Sequence, residues 1–267
     1  MPMATLSEQE LIRRSKLEAL KKLGINPYPA ALYPVDFFAS RLPDAYKEGK
    51  KVVVAGRIMS RRIQGKASFT ELLDPTGKIQ LYLNRDEMCS GEDKTLYNEV
   101  YKKLLDIGDI IGVEGTLFTT KVGQMSINVN QLTVLSKSLK PLPLPKTDSE
   151  GNTYDEFNDP EQRYRQRYVD LIVNPKVKDT FLKRTQITNE IRRFLTDEGY
   201  LEVETPILQP IPGGAVARPF MTHHNALNIP LYLRIANELY LKPVSYTHLR
   251  AHETPEHRVC RLLREKK

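Results

Sequence analysis

Between Lys51 and Leu135 the chain sets out five runs rich in β-branched and apolar residues: Val52–Arg62, Ala67–Leu73, Ile79–Leu83, Ile110–Thr120 and Ser126–Leu135. Such residues suit a pleated, half-buried surface, so each run predicts a strand. Asp74-Pro75-Thr76-Gly77 is a turn signal between the second and third strands. Leu96, Val100 and Leu104 recur every four residues and predict one helix between the third and fourth. A chain with this order has few ways to hide its apolar faces.

Five strands with a helix after the third is the order of an all-β OB-fold barrel, whose outer face commonly takes single-stranded nucleic acid. Ahead of it, Ser7-x-x-Glu10 is a capping box that opens a helix to about Leu23, ended by Gly24. Arg13, Arg14, Lys16, Lys21 and Lys22 make that helix basic. A solvated face explains them, and so does an arm touching nucleic-acid phosphates. Asn26-Pro27-Tyr28-Pro29 and Tyr33-Pro34 then predict an extended connection. Beyond the strands, Ser136–Gln162 reads as a linker, with Pro141, Pro143 and Pro145 alternating with leucines.

The second half begins with a different period. Val177, Phe181, Thr185, Thr188, Ile191 and Leu195 recur every three or four residues, the mark of an amphipathic helix. Asn174 is placed to cap it, Pro175 suits its first position, and Gly199 suits its C-terminal end. At 1.5 Å per residue such a helix is roughly 35 Å long. Tyr200, Leu201 and Val203 predict a short strand that Pro206 terminates.

Composition adds bounds. A chain of 267 residues has room for two domains with cores of their own. No apolar run approaches the roughly 20 residues of a membrane-spanning helix, and Met1–Gln9 lacks a signal peptide's apolar centre. Cys89 and Cys260 define neither a disulfide framework nor a metal site. A cytoplasmic protein is the expectation. The net charge of +7 invites a nucleic-acid partner. Residues 243–267 hold six basic and three acidic residues, however, and so carry +3 of it.

Gly199-Tyr200-Leu201-Glu202-Val203-Glu204-Thr205-Pro206 resembles motif 1 of the class II aminoacyl-tRNA synthetases. The run Arg163–Tyr168, Ile211-Pro212-Gly213-Gly214-Ala215, His223-His224-Asn225-Ala226-Leu227 and Glu238-Leu239-Tyr240-Leu241-Lys242 is similar to the lysyl-tRNA synthetases in particular. The resemblance implies a helical extension over 1–50 and an anticodon-binding OB-fold over 51–140. A linker over 141–162 and part of an α+β, antiparallel-sheet catalytic domain over 163–242 follow. It implies a ligase that uses ATP and Mg²⁺ to make lysyl-adenylate and passes lysine to tRNA(Lys), as a homodimer and away from membranes. The aspartyl and asparaginyl enzymes share the barrel face and motif 1. A tRNA anticodon-binding module without ligase activity is the third reading.

By the same resemblance, Arg61, Phe69 and Gln80 are the anticodon-binding residues, with the aromatic stacking on a central uridine. A core role for Phe69 and a solvated strand position for Gln80 explain the same residues without it. Gly214, Ala215 and Glu238 are implied to bind lysine, the carboxylate facing an ammonium that needs an acceptor. Phe181, Ile191, Gly199 and Pro206 fall in the motif implied to form a dimer interface, and Arg163–Asp170 is implied to lie near tRNA and the subunit interface. Adjacent His223 and His224 point different ways and are expected to be structural or close to substrate rather than metal ligands. The resemblance stops at Lys242, before the arginines and Mg²⁺ carboxylates of the family's later motifs. Val244–Thr254 instead resembles translated sequencing-adapter DNA, so residues 243–267 are expected to be foreign to the protein. The chain as written is expected to be a fragment that does not make lysyl-adenylate.

Overall fold

The computed structural model describes residues 6–147, 153–154, 157–238 and 240–241. The expectation for residues 243–267 therefore lies outside the described residues. The chain divides into two compact units, Met1–Val173 and Asn174–Lys267.

In the first unit, α1 (Glu8–Lys22) opens on the expected capping box. Ser7 Oγ accepts the Glu10 amide at 3.3 Å, and the Glu10 carboxylate accepts the Ser7 amide at 3.0 Å. Leu20 faces the core. Arg13 is buried, and its guanidinium donates to the carbonyls of Ile107 at 3.0 Å and Ser138 at 3.2 Å. One cation of the basic helix is thus an internal fastener.

The strands β1 (Lys51–Gln64), β2 (Ala67–Leu73), β3 (Lys78–Asn84), β4 (Ile110–Thr119) and β5 (Met125–Ser136) close a barrel in the order β1-β2-β3-β5-β4. β3 pairs with β5 in parallel; the other pairs are antiparallel. Alternate residues fill the inside, among them Ile58, Leu72, Leu81, Ile111, Leu117 and Ile127. The Asp74 turn forms as predicted, its carboxylate accepting the amides of Thr76 at 2.7 Å, Gly77 at 2.8 Å and Ala39 at 2.6 Å.

The helix between β3 and β4, α2 (Leu96–Leu104), departs from the expected four-residue spacing. It is wound with five-residue hydrogen bonds, and the Leu105 amide reaches the Val100 carbonyl at 2.9 Å. The wider winding turns Tyr97, Val100 and Tyr101 inward and leaves Leu96 and Leu104 only partly buried. Ser68 and Thr70 put two hydroxyls inside the barrel, where unpaired polar groups are costly. The hydroxyls of Tyr97 and Tyr101 meet them at 2.7 Å each.

A buried ionic knot ties α1 to the barrel. The ammonium of Lys137 is fully buried, 2.6 Å from Asp106 and 2.8 Å from Asp109. Lys16 on α1 reaches the other oxygen of Asp106 at 2.6 Å. Burial pushes the Asp106 carboxyl up, but the hydrogen bonds from Lys137 and Lys16 outweigh it and hold it below the ordinary carboxylate value. Farther on, the Arg-rich stretch forms α3 (Pro160–Arg165) and α4 (Arg167–Val173), both in this unit. Arg163 and Arg167 both pair with the fully buried carboxylate of Asp170.

The second unit opens with α5 (Pro175–Asp197), close to the expected span. Pro175 takes the first turn, but the Asn174 side chain makes no capping bond. At the other end Gly199 has φ of 82°, and its amide donates to the Thr196 carbonyl at 2.9 Å. The Tyr200 amide bonds the Leu195 carbonyl at 2.9 Å, which completes a Schellman cap. The strand expected at Tyr200–Val203 is absent; the chain there is irregular and the strand forms later, as β6 (Leu208–Gln209). A strand needs a hydrogen-bonded neighbour, and among the described residues β8 (Ile229–Leu233) pairs with Leu208–Gln209 on that side and with β7 (Met221–His224) on the other. The three make an antiparallel sheet in the order β6-β8-β7. No helix among the described residues is long and apolar enough to cross a membrane.

Removing one partner from a buried ionic group leaves an uncompensated charge, at a cost of about 3–5 kcal/mol. Lys137→Met is expected to destabilise the chain by about that amount in urea unfolding. Asp106, with its lowered folded value, contributes stability above its unfolded pKa of about 3.9, and that contribution is lost as pH falls through the folded value. Thermal unfolding between pH 6 and pH 3 is expected to show a shallower acid loss in Asp106→Asn than in the parent.

Candidate nucleic-acid interface

The antiparallel register of β1, β2 and β3 decides which side chains share the outer face. Arg62 lies opposite Phe69, and Phe69 opposite Tyr82. One step along, Ser60, Glu71 and Gln80 form the next outer row. Residues directly opposite in an antiparallel pair point to the same side. Arg62, Phe69, Tyr82 and Gln80 therefore stand together on the solvent side of the barrel.

Arg61 does not share that row. Its register partner is Thr70, which is buried, and its guanidinium donates to the Tyr101 carbonyl at 2.6 Å and lies over the Tyr101 ring. The cause is a bulge between Ile58 and Ser60, which inserts one residue and reverses the alternation beyond it. Counted from buried Val52 and Val54, Arg61 is due to point outward; the bulge sends Arg62 out instead.

A cavity of about 350 Å³ opens over this face, bordered by Arg61, Arg62, Phe69, Glu71, Gln80 and Gln124. Gln124 comes from the turn joining β4 and β5. The Gln80 amide oxygen accepts from Ser126 Oγ at 3.3 Å. Glu71 is paired with Lys78 at 2.7 Å, so this carboxylate is neutralised locally. The Phe69 and Tyr82 rings stand 5.2 Å apart, and Tyr82 stands 5.7 Å from Phe118 of β4. Chemically the cavity offers a π surface, an amide and a guanidinium, the set needed to stack a base and bond its edge. Three residues of the outer face escaped the sequence reading. Tyr82 was available from the two-residue period that follows Gln80; Arg62 was hidden by the bulge and Phe118 by the strand order.

The other site residues lie in the second unit. Gly214, with φ of 92°, and Ala215 are exposed in the loop between β6 and β7. Glu238 is half-buried just after β8. The segment leading to it is tied back to the motif 1 run. Arg234 donates to the Thr205 carbonyl at 2.8 Å, and the Thr205 hydroxyl donates to Asn237 at 3.2 Å. His224 Nδ1 accepts the Leu227 amide at 3.2 Å, so that imidazole is held in a turn. Phe181 and Ile191 are exposed on α5, and none of its described side chains is buried. Among the described residues, no cluster of three or more His, Cys, Asp or Glu side chains is placed to hold a metal ion.

Residues 159–248 match the family described as tRNA synthetases class II (D, K and N), and residues 52–135 match the OB-fold nucleic acid binding domain. The chain is 68% identical over 240 residues to a protein of Christiangramia forsetii named lysine–tRNA ligase, covering 90% of this chain and 42% of that one. It is 58% identical over 247 residues to one of the same name from Porphyromonas gingivalis W83, covering 91% and 43%. A third, from Azobacteroides pseudotrichonymphae, is 60% identical over 240 residues, covering 89% and 48%. The chain thus spans less than half the length of the curated relatives it matches.

The two neighbouring arginines are expected to separate under substitution. Arg61→Ala removes a charge-assisted bond to a carbonyl and is expected to lower stability by about 1–2 kcal/mol in denaturant unfolding. Arg62→Ala is expected to leave stability within about 0.5 kcal/mol while weakening binding of single-stranded RNA in fluorescence anisotropy.

Proposed function

We propose, for a chain whose residues 159–248 match the class II tRNA synthetases (D, K and N) and whose residues 52–135 match an OB-fold nucleic acid binding domain, the function of a lysine–tRNA ligase. The reaction is ATP-dependent activation of lysine followed by transfer to tRNA(Lys). What carries this reading is the joining, in one chain, of the synthetase match to a barrel whose outer face presents Arg62, Phe69 and Gln80 around one cavity. The names of the relatives favour lysine over the aspartate and asparagine that the family also serves.

In this reading the barrel holds the anticodon. Phe69 stacks on the central base, Gln80 bonds its edge through the amide, and Arg62 supplies the cation of the row. Arg61 borders the same cavity and supports α2. Glu238 receives the ammonium of lysine, held in place by the Arg234–Thr205–Asn237 links. Gly214 and Ala215 let backbone approach the amino acid without obstruction. ATP and Mg²⁺ supply the phosphoryl chemistry of the family. The described residues offer no cluster of three or more His, Cys, Asp or Glu side chains for the metal. The exposed apolar residues of α5, Phe181 and Ile191 among them, are the surface for a second copy. Gly199 and Pro206 frame the segment that follows it. The protein works in the cytoplasm.

Filter binding of the 267-residue chain to a tRNA(Lys) transcript and to the same transcript with cytidine as its central anticodon base tests the reading. The expected outcome is preference for the unaltered transcript, with Phe69→Ala weakening that complex by about 1–3 kcal/mol. Equal affinity for the two transcripts, or an unchanged Phe69→Ala, would remove the assignment.

A further inference from the structure

We infer that Phe118 is a second stacking platform, holding the nucleotide next to the one that Phe69 takes. The inference rests on the barrel's outer face being an RNA site and adds a residue from the opposite side of the sheet order. Phe118 lies on β4, opposite Ser126 of β5. Its ring is reached from Phe69 through Tyr82, by steps of 5.2 Å and 5.7 Å between ring centres. The rings are tilted by 48° and 59° to one another, so they are not stacked face to face and do not close over each other. Phe69, Tyr82 and Phe118 are all only partly buried.

The spacing fits nucleic acid better than it fits a core. A core aromatic would lie inside the barrel with Leu81 and Leu117, whereas these three follow the outward positions of their strands. Adjacent nucleotides whose bases are unstacked from each other need separate π surfaces, and a row of tilted rings supplies them. The β4–β5 turn, which follows Phe118 in the chain, reaches the cavity beside Phe69 through Gln124. Lys121, in that turn, is exposed and carries a cation for the intervening phosphate.

The experiment uses the 267-residue chain and an RNA hairpin with a loop of seven uridines. Phe118→Leu keeps an apolar cover over Ser126 while removing the π surface. It is expected to bind the hairpin roughly 10-fold more weakly than the parent with its melting temperature unchanged, and Phe118→Tyr is expected to bind normally. In the parent, 5-iodouridine placed at each loop position in turn is expected to crosslink to Phe69 from one position and to Phe118 from its neighbour. If Phe69→Ala weakens binding while Phe118→Leu binds within twofold of the parent and no crosslink reaches Phe118, the second platform is overturned and the RNA face stands. If neither substitution matters, both fall. Should Phe118→Leu fail to fold, the crosslinks in the parent decide alone.

Discussion

The cross-strand register of β1, β2 and β3 is the constraint on which the proposed function depends. Side chains alternate along a strand, so a slip of one residue would turn Phe69 and Gln80 into the barrel and bring Thr70 and Leu81 out. Two devices forbid that slip. Asp74 gathers two backbone amides within the turn between β2 and β3 and ties that turn to the amide of Ala39. From inside, Tyr97 and Tyr101 meet the hydroxyls of Ser68 and Thr70, which satisfies them only in this register. The polar groups in the core thus fix the aromatic groups on the surface.

Charge is distributed with the same division of labour. The chain's excess of positive charge suggests a broad electrostatic footprint. Many of its cations are engaged internally instead: Arg13 with loop carbonyls, Lys137 with Asp106 and Asp109, Arg61 with α2, and Arg163 with Asp170. These hold the first unit together. What is left beside the cavity is sparse and specific, a face suited to individual bases more than to a stretch of backbone.

The sequence made the barrel legible because its strands carry strong β-branched runs and unambiguous turns, and the ends of all five fall within one or two residues of expectation. The α1 and α5 helices were legible from periodicity and from Gly24 and Gly199. Periodicity failed where the backbone left its usual geometry. Four-residue spacing at Leu96, Val100 and Leu104 hid the wider winding that buries Tyr97 and Tyr101. A bulge at Ile58–Ser60 exchanged the faces of Arg61 and Arg62, and no residue type announces it. Tyr200–Val203 has strand-forming residues but joins no sheet among the described residues. Pairing is a property of the fold, not of the segment.

The most direct test of the account is the response of individual rings to RNA. With ¹³C-labelled aromatic residues, titration of the chain with a uridine-loop hairpin should shift the NMR ring signals of Phe69, Tyr82 and Phe118 together. Those of buried Tyr97 and Tyr101 should hold still. Saturable binding that leaves the three outer rings unmoved would contradict the claim that this face of the barrel is where RNA is held.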